Sequence, residues 1–387
     1  MKSTEKQHLQ RSSLLEQAKY IEVLSNTMGK IHSKIPPADS NIDLSQPATK
    51  VDFREENVFG VNLKRAVIYL LTNGCEWALG KGNGCTVCGH IAKQTRFKNT
   101  IPAKMLIAQF EKAFSPLDFR QSPILNLYNN GSFFNDNEVP VEARRFMLAQ
   151  IAKNKDIKML ILESRPEFIS EHVLDELMGV CESQYVEVAI GLEVVDDLIR
   201  SVCLNKGYCL ETFEAAVKTI VDAKWPNLGV RAYVMLKPPF LTEREGIEAA
   251  VETIQYAFKI GCSTVSLEPC TIQDYTLAHE LYKMGEYRPP WLWSIVEVLE
   301  RCGCLGNVVS SLFQFYPSSR VVPFNCERCS NTVLNAIKTY NRTRDISVLQ
   351  GLDCSCKEKW KDELQIPQEP FSYRVESILK LVESRGC

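Results

Sequence analysis

From residue 66 onward the chain alternates short apolar runs with amphipathic ones. Strand candidates fall at 66–72, 124–129, 157–163, 185–191, 229–236 and 264–268, with helix candidates near 102–114, 140–152, 170–181, 210–224, 245–260 and 290–301. The first run, Ala66-Val67-Ile68-Tyr69-Leu70-Leu71, has the length and β-branched character of a parallel strand buried on both faces. Six such βα units predict parallel strands joined by right-handed helical crossovers, hence a doubly wound sheet or a partial barrel. Either architecture gathers the loops that follow the strands on one face, where ligands bind.

Outside this repeat the pattern changes. Residues 1–59 carry one helical period, Leu14-Leu15-x-x-Ala18-x-x-Ile21, and then a loop marked by Pro36-Pro37 and Pro47. This stretch reads as an appendage, and Arg54, Glu55 and Glu56 within it as a solvated charge cluster. The repeat fills residues 60–310, and residues 311–387 form a cysteine-rich extension with a helix expected at 331–342.

Composition adds bounds. With 387 residues, 45% hydrophobic and 24% charged, the chain can bury a full core in one large α/β domain. A formal net charge of −2 provides no global basic field, so any nucleic-acid binding has to use a local patch. Residues 1–17 lack an apolar core and no stretch approaches eighteen uncharged apolar residues, which predicts a protein without export signal or membrane span. Fifteen cysteines, many in close groups, indicate a reducing compartment, and a cytoplasmic location is the expectation.

The most informative group follows the first strand. Cys75, Cys85 and Cys88 stand at C-x9-C-x2-C spacing in a loop that also carries Gly74, Gly80, Gly82 and Gly84. Three thiolates suit an iron-sulfur cluster that leaves one iron open, whereas a closed zinc site needs a fourth ligand, which His90 could supply. Glycines let the backbone wrap closely and aim amide N–H groups at sulfur.

With its wording Cys-x-Trp-Ala…Gly-Cys-Thr-x-Cys-Gly, this loop resembles that of radical S-adenosylmethionine (SAM) enzymes, in the branch that includes the Elongator catalytic subunit. It is closer still to archaeosine-biosynthesis radical SAM proteins and their bacterial relatives, and the resemblance covers about residues 60 to 360. It implies a partial (β/α)6 barrel, a 4Fe-4S cluster on Cys75, Cys85 and Cys88, and reductive cleavage of SAM to a 5′-deoxyadenosyl radical. By resemblance, Asn130 and Gly131 after the second strand take the amino group of the methionyl moiety, although Asn129-Asn130-Gly131 departs from the commoner Gly-Gly-Glu. Glu163 and Arg165, in Glu163-Ser164-Arg165-Pro166, resemble the Glu-Thr-Arg-Pro element, with Arg165 on the SAM carboxylate. Glu193, in Gly191-Leu192-Glu193, is matched to the ribose hydroxyls, and Lys237 to SAM or a substrate anion, its alternative being a lysine that snorkels from a core strand. A reductant such as flavodoxin or ferredoxin is implied, and the substrate class stays open among small molecule, peptide and tRNA, archaeosine-type lyase chemistry on a tRNA base being one reading.

Further features have two readings each. Cys326-x2-Cys329 and Cys354-x-Cys356 predict a closed four-thiolate site, for Zn or a second cluster. Cys270 after the sixth strand is either reactive or packed, and Cys302-x-Cys304 has no evident partner. Tyr287, Trp291 and Trp293 predict a hydrophobic lid on the barrel edge or a stacking surface. Two other classes remain in play: a zinc-binding module using His90, and an iron-sulfur electron carrier that does not use SAM.

Overall fold

One sheet carries the architecture of the computed structural model, which describes residues 14–39, 41–58 and 60–385. The polar segment 1–13 lies outside them. Its strands are β1 (Asp52–Val58), β2 (Val61–Tyr69), β3 (Ile124–Tyr128), β4 (Met159–Ser164), β5 (Tyr185–Glu193), β6 (Leu228–Leu236), β7 (Thr264–Pro269) and β8 (Asn307–Ser310). The helices that lead into and between them are α1 (Leu14–Ser33), α2 (Glu76–Leu79), α3 (Ala103–Phe114), α4 (Val141–Lys153), α5 (Glu171–Met178), α6 (Asp197–Val202) and α7 (Leu210–Asp222). They continue with α8 (Glu243–Lys259), α9 (Leu277–Met284), α10 (Leu292–Cys302), α11 (Ser330–Thr343), α12 (Cys356–Gln365) and α13 (Phe371–Ser384).

Spatial order follows chain order from β1 to β8, and every pair from β2 to β8 is parallel. A doubly wound sheet reverses its order at a switch point. This one never does, so the alternation read from the sequence resolves as a barrel-type sheet left open between β1 and β8. Apolar side chains of the strands, among them Ala66, Ile68, Leu125, Leu160, Val188 and Val234, pack outward against the helices in one continuous core. Helix starts are capped locally: Thr242 and Glu245 form a reciprocal capping box on α8.

Two strands were not foreseen. β1 pairs antiparallel with β2 through a turn at Val58 and Val61, so the boundary placed at residues 59/60 falls inside a hairpin. For Glu56 the solvated-charge reading is corrected, whereas Glu55 is exposed as expected. Glu56 is 6% exposed; it pairs with Arg65 at 2.6 Å and with Arg231 at 3.1 Å, and Arg231 reaches Glu187 at 2.7 Å. This charged layer floors the barrel. β8 is only four residues long, too short to stand out as an apolar run.

The open edges are joined by α11. Asn341 Nδ2 donates to Ser310 O at 2.7 Å and its Oδ1 accepts from Ser310 N at 3.0 Å, so it completes the edge of β8. From the same helix end, Arg342 O accepts from Asn57 Nδ2 of β1 at 2.6 Å, and Arg344 Nε donates to Asn307 Oδ1 at 2.9 Å. A smaller second core packs Leu24, Met28 and Ile31 of α1 against α6, α9 and α13.

Candidate functional site

The loop between β2 and α3 is held by distant backbone and side-chain contacts. Trp77 lies flat against Gly82 and Gly207, where an added Cβ would stand 2.3 and 2.4 Å from the ring. Its Nε1 donates to Asn205 O at 2.8 Å, and Asn205 Nδ2 returns to Gly82 O and Gly84 O at 2.7 Å each. The Asn205-Lys206-Gly207 segment therefore clamps the cysteine loop, and both glycines are required by the approach of the indole. From the loop between β3 and α4, the Glu138 carboxylate accepts from Glu76 N at 2.9 Å and Asn129 Nδ2 at 2.9 Å, which fixes α2 directly behind Cys75.

Cys75, Cys85 and Cys88 line a single cavity of about 670 Å³, together with His90, Asn130, Gly131, Glu163, Arg165 and Glu193. The wall is built by the ends of four strands. Asn130 and Glu193 adopt φ of +55° and +62°, a left-handed backbone that asparagine tolerates and that is unusual for glutamate. Asn130 is 7% exposed and its Nδ2 has no partner among the described residues. Arg165 donates to Glu167 Oε1 at 2.6 Å and to Lys206 O at 3.0 Å, with its guanidinium 5.4 Å from the Trp77 ring centroid and 5.0 Å from that of Tyr208. Glu193 pairs with Lys206 at 2.5 Å.

Burial dominates the electrostatics. It pushes the Cys75 thiol up to about 12, with Glu138 adding to the shift, and raises Cys85 and Cys88 as well. Lys206 opposes the shift at Cys85 and Cys88, and Arg165 opposes it at Cys75 and Cys85. Burial also lifts Glu163 and Glu268 to about 7 and holds His90 below its ordinary value.

Lys237 is placed elsewhere. Its ammonium sits 2.6 Å from Glu243, buried outside the cavity. The aromatic run is likewise core rather than lid: Tyr287, Trp291 and Trp293 are 7%, 8% and 1% exposed, and none lines the cavity. Cys270 touches the cavity edge but is 2% exposed, its thiol pushed up to about 12 by burial, which suits packing rather than reactivity. What sequence reading left without a role is the inner wall: Lys206, Glu268, and the tyrosines Tyr69, Tyr128 and Tyr233, with 3.2 Å between the last two hydroxyls. Tyr233 alternates inward with Arg231 and Met235 along β6, a period-2 signal that was available.

A second site forms at the start of α11. Cys326 Sγ lies 3.5 Å from Cys329 Sγ and 3.6 Å from Cys354 Sγ, Cys329 Sγ lies 3.5 Å from Cys356 Sγ, and all four are within 4.8 Å of one another. These separations exceed a disulfide bond of about 2 Å. Trp293 Nε1 donates to Cys356 Sγ at 3.4 Å, and Arg328 to Cys354 Sγ at 3.5 Å. The N–H of Cys356 and the Arg328 guanidinium bring Cys354 down to about 6. Among the described residues no other set of three His, Cys, Asp or Glu ligands converges this tightly, so His90 does not close a single-ion site with Cys75, Cys85 and Cys88.

Comparison with known proteins follows this geometry. No family model matches the chain. It is 32% identical over 317 residues to archaeosine synthase subunit beta of Methanosarcina acetivorans, covering 82% of this chain and 89% of the relative. With archaeosine synthase subunit beta of Thermococcus kodakarensis the identity is 31% over 312 residues, covering 79% and 94%. Among solved structures, the Elp3 of Methanocaldococcus infernus is similar over 61% of this chain and 58% of its own, at a TM-score of 0.43 and 17% identity.

Proposed function

Since the chain belongs to the radical SAM family of archaeosine synthase subunit beta, we propose that Cys75, Cys85 and Cys88 hold a 4Fe-4S cluster and that SAM binds beside it in the same cavity. The observation that carries this reading is the delivery of three thiols, the unpartnered Asn130 amide and the Arg165 guanidinium to one cavity. Such a volume falls in the range of small-molecule sites. When bound, the cluster supplies the electron that cleaves the sulfonium of SAM to a 5′-deoxyadenosyl radical.

The chain's own residues do the positioning. Asn130 and Gly131, at the end of β3, face the methionyl amino group, and Arg165 offers a planar pair of N–H donors to its carboxylate. Glu193, held by Lys206, presents acceptors to the ribose hydroxyls. The cationic groups Arg165 and Lys206 offset the charge of thiolate ligands. A reductant of the flavodoxin or ferredoxin type completes the partners. An electron carrier has no use for this constellation of ligand-like strand ends, and a zinc module would need the convergence that His90 does not make.

At the C-terminal cysteines the reading is one zinc ion. Bonds of about 2.3 Å to four thiolates in a tetrahedron put sulfurs roughly 3.8 Å apart, close to the separations here and too small for a four-iron cage. The finer reading of the reaction is archaeosine-type lyase chemistry on a modified tRNA base.

Anaerobic reconstitution with iron and sulfide, then dithionite and SAM, tests the assignment. The parent protein is expected to show cluster absorbance and release 5′-deoxyadenosine. Cys75→Ala, Cys85→Ala and Cys88→Ala are each expected to lose both; retention of both in any one of them would remove the cluster from this loop.

A further inference from the structure

The short helix behind Cys75 carries a side chain that does more than brace its own loop. Trp77 stands two residues after Cys75, and its carbonyl accepts from Gly84 N at 3.2 Å, next to Cys85. Its indole packs on Gly82 and Gly207 and reaches Asn205 O through Nε1 at 2.8 Å. The same ring carries the Arg165 guanidinium, whose carbon lies 5.4 Å from the ring centroid. Tyr208, which follows Gly207, brings a second ring to 5.0 Å from that carbon, and its hydroxyl donates to Gly191 O on β5. Two rings and two glycines thus form one layer between the thiol-bearing loop and the ends of β4 and β5.

Arg165 depends on that layer. It is 8% exposed; its Nε donates to Glu167 Oε1 at 2.6 Å and its Nη2 to Lys206 O at 3.0 Å, which leaves Nη1 without a hydrogen bond among the described residues. The Glu167 side chain is 35% exposed, and an ion pair open to water holds a guanidinium only weakly. An aromatic face restricts the plane of the guanidinium, and its attraction strengthens where water is excluded. We propose that Trp77 is a positioning residue for SAM: its ring, with that of Tyr208, sets the plane of Arg165, so the loop that brings the thiols also aims the group that takes the SAM carboxylate. The inference rests on the SAM reading of the cavity given above and adds the residue that ties its cluster side to its SAM side. Tryptophan suits the task because it combines a broad face with an N–H donor, so one side chain can be pinned to Asn205 while it supports Arg165. An aliphatic residue could fill the space between Gly82 and Gly207 but would leave the guanidinium free to turn.

Equilibrium dialysis of SAM against the anaerobically reconstituted, unreduced protein tests this, with iron content and cluster absorbance measured on the same samples. Trp77→Leu is expected to keep the parent's iron and absorbance and to bind SAM about two- to thirtyfold more weakly. Trp77→Met, which fills the same space without an aromatic face, is expected to behave alike and serves if the leucine variant folds poorly. Trp77→Phe, which keeps a face and loses the N–H, is expected to recover most of the affinity. In an Arg165→Gln background, which has no guanidinium to orient, Trp77→Leu is expected to change SAM affinity by less than about twofold. The inference is overturned if the iron-loaded Trp77→Leu or Trp77→Met protein binds SAM as the parent does, or if the loss is the same with and without Arg165. It is also overturned if both variants lose their iron, which would make the ring a support of the cysteine loop alone. Release of 5′-deoxyadenosine after dithionite is measured separately. Its absence from a parent that binds SAM would sink the catalytic reading alone, whereas its presence beside parental SAM affinity in the Trp77→Leu protein would sink this one alone.

Discussion

Glu268 shows how the cavity weighs on single residues. Ser266 Oγ donates to it at 2.7 Å, no ion pair reaches it among the described residues, and burial lifts its carboxyl to about 7 against the opposing pull of Arg54. A raised carboxyl means the folded state holds a proton that the unfolded state releases, so the cost of folding appears as pH rises from the ordinary carboxyl value of about 4.5 and is complete above about 7. Glu268→Gln removes that proton linkage. Relative to the parent, this variant is expected to gain stability between pH 5 and 7 and to level off above, by about 2 kcal/mol, in urea unfolding curves across that range. A pH-independent difference would show that Glu268 is ionised and solvated. Such a residue reads in the sequence only as the end of an apolar strand, because the solvation it loses is set by walls that other strands build.

At the scale of elements, the turn after β3 and the short helix after Cys75 behave as one unit through Glu138. A Cβ on Gly131 would fall 1.9 Å from Glu138 Oε2, whose carboxylate also holds Ser132 N and Asn135 Nδ2. Gly131→Ala must therefore displace a buried acceptor of four donors and loosen α2 behind Cys75. The expected result is a loss of about 2–4 kcal/mol in stability and poorer retention of reconstituted iron by Cys75. Unchanged melting and iron content would show that Glu138 moves freely. The sequence pattern located six of the eight strands and the six crossover helices to within a few residues, since burial on both faces leaves a local signature. It missed β1, whose alternating charges serve an interior layer, and β8, whose four residues are legible only beside β7.

For the whole molecule, α11 connects the two metal readings. Cys326 and Cys329 stand at its start, while Asn341, Arg342 and Arg344 at its end hydrogen-bond to both open edges of the sheet. Removing the metal from four thiolates leaves their mutual repulsion uncompensated and frees the helix start. Chelation, or Cys329→Ser, is therefore expected to accelerate amide hydrogen exchange not only at 326–356 but also in β1 and β8, which the far end of α11 holds, about 20 Å along the helix axis by its 1.5 Å rise per residue. Exchange confined to 326–356 would show that the clasp holds without the ion.

The division between what sequence determined and what tertiary structure decided follows the range of the interactions. Cysteine spacing, glycine placement and βα alternation are local quantities, so the groupings Cys75, Cys85 and Cys88 and Cys326, Cys329, Cys354 and Cys356, and a parallel α/β sheet, could be read directly from the chain, whereas the choice of a barrel over a doubly wound sheet rests on the strand order. Partnership is not local. Arg231 on β6 and Lys237 just after its end are both cations, yet Lys237 turns to Glu243 outside the cavity and Arg231 to Glu56 and Glu187 on its floor. Nothing in their neighbouring residues distinguishes them, because the free energy of a buried charge depends on which carboxylates the folded chain places within reach. The same holds for Phe53, Lys64 and Lys338 along the cavity: the first two share the β1–β2 hairpin, but Lys338 is far along the chain and joins them only when the sheet curls and α11 crosses its open edge.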